Sequence, residues 1–177
     1  MNSNQEKVCF TVFNQMKLQL PMWRDDRYAN RYVERTFYNG VSIIQSKLFS
    51  KNARFNPKKL KVVNEHCFTP QLIGRFIFDN HQIYLNDYDK FREIYIIAST
   101  TIKTLDTENI LLRQQNNIPI LEKYRTAKID LWGPTGFIKY DSPFPLSLPN
   151  EIIEYDKQII KENLTNYKKP DIIHYEF

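Results

Sequence analysis

RYVERTFYNGVSIIQSKL, residues 31–48, divides at Asn39-Gly40 into an arginine-marked half and an apolar half. Upstream of the division, Arg24, Arg27, Arg31 and Arg35 recur at offsets of 3, 4 and 4. On a helix they fall within about 80° of the circumference. Met22, Ala29, Val33 and Phe37 fall opposite, so one face would pack while the other presents a ridge of guanidinium groups. Asp25 and Asp26 suit the first turn, where carboxylates favour the helix dipole. Asn39-Gly40 supplies residues tolerant of positive φ, which predicts the helix end. Downstream, Val41, Ile44 and Leu48 repeat at helical spacing, which predicts a second helix from about Val41 to Asn52.

The charge of the 177-residue chain is concentrated around this stretch. The whole carries +5 with a pI near 9.1. Residues 22–62 hold ten Lys and Arg against three Asp and Glu, whereas residues 63–177 are net acidic. Such asymmetry points to a local basic surface. Lys47, Lys51, Arg54, Lys58, Lys59 and Lys61 extend the positive charge past the second predicted helix, and Tyr28, Tyr32, Phe49 and Phe55 interleave with it. Arginine binds phosphate in bidentate fashion and aromatic rings stack on bases. Glu34 and Asp25 are too few to neutralise the ridge, so the pattern favours a nucleic-acid surface over a solvated helix face.

The remainder reads as one domain, with 42% hydrophobic residues sufficient for a core. Residues 1–21 read as an N-terminal extension, 22–55 as the basic helix pair and 71–86 as a β-hairpin. Residues 88–128 read as a helical core, 131–150 as a Pro-rich connector and 151–177 as a C-terminal helix and tail. In QLIGRFIFDNHQIYLN, residues 71–86, strand formers flank the turn signal Asp79-Asn80, which places Arg75, Asn80 and His81 at or near a hairpin tip. The predicted fold is therefore mainly α, with one protruding β-hairpin.

Cys9 and Cys67 fit neither a zinc spacing nor a disulfide framework and read as buried small hydrophobes. No apolar run reaches 18 residues, and the N-terminus has neither signal-peptide nor transit-peptide character. No catalytic, metal or cofactor set emerges. His66, His81 and His174 lack local acid partners, Asp87 and Asp89 read as a solvated turn, and WGPTG (132–136) lacks the Lys-Ser/Thr of a phosphate loop and reads as a turn between short extended pieces.

LPMWRDDRYANRYVERTFYNGVSIIQSKLF, residues 20–49, resembles the first helix pair of the seventh small-subunit ribosomal protein in its bacterial and organellar form, through Arg27, Asn30, Val33, Arg35 and Gly40. Thr69-Pro70 is similar to the approach to that family's β-ribbon. FREIYIIAS (91–99) is similar to its next helix, and IIHYEF (172–177) to its ending. Val41 and Ser42 stand where the family has two lysines, and Asp79-Asn80 stand where it has paired glycines. The resemblance implies a structural protein bound to the 3′ major domain of small-subunit rRNA. It would organise the head among neighbouring ribosomal proteins, near exit-site tRNA and mRNA, with no membrane. An AT-favoured composition, rich in Phe, Tyr, Ile, Asn and Lys with four Gly and four Ala, suits the genome of an organelle, a parasite or a large virus. Together with the resemblance it implies a mitochondrial member first and a plastid-type one second. The competing expectations are a soluble accessory subunit of an organellar membrane complex and a small metal-dependent nuclease.

Overall fold

The computed structural model describes residues 1–23, 27–115 and 117–166, with the side chains of residues 27–29 and 164–166 outside that description. Helix α1 (Ser3–Gln19) begins with a reciprocal capping box, in which the Asn2 side chain accepts from Gln5 N and the Gln5 side chain from Asn2 N. It buries Cys9, Val12, Phe13 and Met16, so the expected N-terminal extension is instead a core helix. A 3-10 turn (Leu20–Met22) leads toward α2 (Arg27–Gly40). Val33 and Phe37 are fully buried, as their spacing predicts, whereas Met22 of the same predicted face lies in the 3-10 turn and is exposed.

Gly40 ends α2 without a positive φ; its role is steric. A Cβ there would lie 2.5 Å from Val12 Cγ2, so its absence lets α1 and α2 close up. The Tyr95 hydroxyl donates to Gly40 O and accepts from Ser42 N, both at 2.9 Å, and so fixes the chain as it leaves the helix.

The next element is a strand, β1 (Ile44–Ser50), and not the predicted second helix. Gln45, Lys47 and Phe49 alternate with the more buried Leu48 and Ser50, the period of two that a sheet imposes. Ser50 caps the single-turn α3 (Lys51–Arg54) by accepting from Ala53 N at 3.0 Å. Next comes β2 (Val62–His66).

Residues 71–86 are helical. Pro70 occupies the first turn of α4 (Pro70–Asp79), and Asn80 separates it from the short α5 (His81–Tyr84). Ile73, Phe76 and Ile77 are buried together on one helical face, whereas a strand would divide them between two. The Asp79-Asn80 pair terminates a helix: both the backbone N–H and the side-chain amide of Asn80 donate to Phe76 O.

Helix α6 (Tyr88–Ser99) is capped by Asp87, whose side chain accepts from Asp89 N and Lys90 N. It gives way at once to β3 (Thr100–Leu105), so the predicted helical core over 88–128 contains a strand. The β-branched Thr100, Thr101, Ile102 and Thr104 suit the pleat. Then come α7 (Asp106–Arg113), a 3-10 turn (Ile120–Glu122) and α8 (Lys123–Thr126). The Trp132–Gly136 turn joins β4 (Leu131–Gly133) to β5 (Gly136–Ile138), as its sequence predicts, with Gly136 at φ +109°. Beyond the proline-bearing segment, α9 spans Asn150–Asn166; the IIHYEF ending lies outside the described residues.

The five strands form one sheet in the order β2-β3-β1-β4-β5. β1 runs parallel to β3, and the other neighbours are antiparallel. A mixed α/β fold thus replaces the expected mainly α domain with its protruding hairpin. One core cluster joins Phe37, Phe91 and Tyr95 from the helices to Leu48, Ile102 and Leu131 from the sheet. Phe37 meets Phe91 and Tyr95 edge-on, with ring centroids 6.4 Å apart in each case.

The α2–α4 contact depends on Gly74, where a Cβ would come within 2.9 Å of Phe37 Cδ1. Phe37 is fully buried and has no room to yield. Gly74→Ala is therefore expected to destabilise the fold by about 1–3 kcal/mol despite its gain in helix propensity, measured by urea denaturation.

Candidate nucleic-acid interface

The register of the sheet carries one row of side chains across all five strands. Asn64 pairs with Lys103, Lys103 with Phe49, Phe49 with Trp132, and Trp132 with Phe137. Directly paired residues project from the same face. The opposite face carries Leu48, Ile102 and Leu131 into the core. The row reaches solvent at its edges, where Phe137 is 44% exposed and Asn64 is exposed, while Lys103, Phe49 and Trp132 between them are half-buried.

Cations attend this row. Arg54 Cζ and Lys103 Nζ each lie 5.7 Å from the Phe49 ring centroid, and Lys51 Nζ lies 4.7 Å from that of Phe137. Phe55, itself 54% exposed, meets Trp132 edge-on at 5.0 Å. Lys51 also reaches Asp130 Oδ2 at 3.9 Å. Among the described residues no carboxylate lies within ion-pairing distance of Lys47, Arg54 or Lys103.

Glu108 holds this arrangement from beneath. Its buried carboxyl group accepts from Ser50 Oγ at 2.5 Å, Asn52 Nδ2 at 2.9 Å and Leu105 N at 2.9 Å. It thereby ties the ends of β1 and β3 to α3 and α7. In the connection to β2, the Asn56 side chain brackets Leu60: Asn56 Nδ2 donates to Leu60 O at 2.8 Å, and Leu60 N donates to Asn56 Oδ1 at 3.0 Å. Lys58 and Lys59 project from this closed loop, with Lys59 in left-handed backbone at φ +50°. Lys61, at its end, pairs with Asp106 at 3.4 Å.

The predicted site residues therefore separate into groups. Lys47, Lys51, Arg54, Lys58, Lys59 and Lys61 lie on β1, α3 and the loop after it. Arg31 and Arg35 are exposed on α2, which packs chiefly on α1 and α4. Arg24 lies outside the described residues, as does the side chain of Arg27, although its backbone begins α2. Arg75, Asn80 and His81 occupy no hairpin tip. Arg75 pairs with Glu34 at 3.2 Å, Asn80 ends α4, and His81 Nδ1 bonds Phe78 O at 3.0 Å. Trp132, Phe137 and Lys103 are absent from the sites that sequence reasoning selects, because only the strand register brings them beside Phe49.

Beside β2 a polar cleft gathers Glu65, His66, Arg113 and Lys123. Burial pushes the Glu65 carboxyl up to about 7, against the pull of Arg113 and Lys123, and burial also lowers the Lys123 amine. Among the described residues no group of three or more His, Cys, Asp or Glu is placed to hold a metal, and Cys9 and Cys67 are buried free thiols. No described helix is long and apolar enough to cross a membrane. No known protein family, curated protein or solved structure matches the chain.

Glu108→Ala strips an acceptor from three donors and is expected to cost about 2–4 kcal/mol, with Glu108→Gln costing less, both measured in urea. Glu65 carries a pH signature. Its folded-state pKa lies above the unfolded value, so its contribution is fully present below about pH 4.5 and is lost as pH rises through about 7. The advantage of Glu65→Gln over the native chain is expected to grow by about 2 kcal/mol between pH 5 and pH 8, measured by thermal unfolding across that range.

Proposed function

We propose that this chain is a structural RNA-binding protein, a constituent of a ribonucleoprotein particle, and that the particle is the small subunit of a mitochondrial ribosome. One observation carries the reading. Between Lys47 and Lys61 the fold gathers six cations, and four of them, Lys47, Arg54, Lys58 and Lys59, have no carboxylate partner among the described residues. Exposed, unneutralised cations held by a capped turn and a bracketed loop suit a polyphosphate, since neutralising each phosphate releases condensed counterions. Arg31 and Arg35 on α2 supply a second contact face. Arg75, Asn80 and His81 have partners within the protein and stand outside the proposed surface. Helices α4 and α5 occupy the place of the ribbon that would have reached exit-site tRNA, so that contact is no part of the proposal.

The test combines binding with fractionation. Charge reversal of Lys47, Arg54, Lys58 and Lys59 to Glu should abolish binding to small-subunit RNA fragments. Single replacements by Ala should each lower the salt slope of log affinity by about one. The native protein should sediment with the small subunit and leave it after nuclease treatment. Unchanged affinity in the reversed variant, or nuclease-insensitive association with a membrane complex, would overturn the reading.

A further inference from the structure

The cations account for attraction to phosphate, but they leave the aromatic row unexplained. Phe49, Trp132 and Phe137 lie on three adjacent strands, about 4.8 Å from one strand to the next. Phe55, 54% exposed and edge-on to Trp132, adds exposed apolar surface beside the row. Exposed apolar residues of this size in one patch mark a binding surface.

The chemistry of the patch selects among occupants. The core of a protein–protein interface is depleted in lysine, whereas Lys51, Lys103 and Arg54 lie directly over these rings. An RNA duplex hides the faces of its bases and offers a flat aromatic surface nothing to stack on. An unpaired strand offers both parts: base faces for the rings, and phosphates between them for the cations. Solvent-facing aromatics on a sheet can stack two or three successive bases.

Resting on the RNA-binding reading above, we infer that the row Phe49–Trp132–Phe137 is a stacking platform for an unpaired RNA segment. Arg54, Lys103 and Lys51 move from the rings to the flanking phosphates as the bases arrive. Phe55 closes on the base at Trp132, and Asn64, at the far end of the row, offers an amide to a base edge. The loop carrying Lys58 and Lys59 holds the backbone as it leaves the sheet.

Trp132 makes the platform its own reporter, because the chain has two tryptophans and Trp23 is engaged elsewhere, stacked on Phe78 and donating to Asp79. The probe is an oligouridylate of about ten nucleotides, a length within the span of single-strand sites. In full-length Trp23→Phe protein, binding should quench indole fluorescence to saturation. If Trp23→Phe fails to fold, the difference between the native protein and Trp132→Phe reads the same signal. Phe137→Ala and Phe55→Ala should each weaken binding about tenfold, as loss of one base–aromatic stack does, with an unchanged salt slope. A duplex of equal length should leave Trp132 unquenched.

Binding without quenching, together with alanine variants of native affinity, overturns the platform. If the charge-reversed variant still loses its binding in that case, RNA binding stands and only the sheet face is excluded. If neither single strand nor duplex binds the native protein, both readings fall.

Discussion

Glu108 is the constraint on which the basic surface depends. It stands in the first turn of α7, where its side chain accepts the N–H of Leu105 and so meets a donor that the helix leaves unpaired. Its other bonds reach across the fold to Ser50 and Asn52. A buried carboxyl group without partners would cost several kcal/mol, so the site is stable only when all three donors converge on it. That requirement locks the end of β1 against the end of β3. Ser50 also caps α3, which places Lys51 and Arg54 at the rim of the sheet face.

The sheet then does what a helix could not. An arginine ridge on a single rod presents charge alone. Five paired strands present a row in which each residue's neighbour is set by register, so aromatic rings from distant parts of the chain become adjacent. Phe49 and Trp132 are 83 positions apart in sequence and are direct cross-strand partners. A register shift between Gln45 and Phe49, where Leu48 N donates to Ser46 Oγ at 3.1 Å, adjusts β1 to β3 and leaves Phe49 paired with both Lys103 and Trp132.

How far an interaction reaches along the chain decides whether the sequence discloses it. The buried side of α2, the seclusion of both cysteines, the Trp132–Gly136 turn and the start of the last helix rest on local spacing and turn chemistry, and they were legible. Residues 41–50 were not: Val41, Ile44 and Leu48 satisfy a helical period while Gln45, Lys47 and Phe49 alternate. Only pairing with β3 and β4, from remote segments, resolves that ambiguity. At 71–86 the local cues conflicted. Strand-forming Ile and Phe outweighed Pro70 at a helix start and the one-sided spacing of Ile73, Phe76 and Ile77, although burial of that face against α2 decides the outcome. In the site, the cations of 47–61 were visible as composition. The aromatic row beside them was not, because register is a property of the assembled sheet.

The resting places of the cations complete the physical picture. A carboxylate beside Arg54 or Lys103 would have neutralised the face and made release costly. An exposed cation–π contact contributes about 0.5–1 kcal/mol, less than the about 1.5–3 kcal/mol of a hydrogen bond to a charged group. Phe49 therefore keeps two cations over the sheet without binding them as tightly as a phosphate would. On the proposed platform, exchange of ring for phosphate would uncover the ring as a base arrives, so charge neutralisation and stacking would favour one another. Lys51 differs, because Asp130 shares it with Phe137. Its release is opposed by a second partner, so on the proposed platform the Phe49 end of the row would be the easier place for a strand to begin.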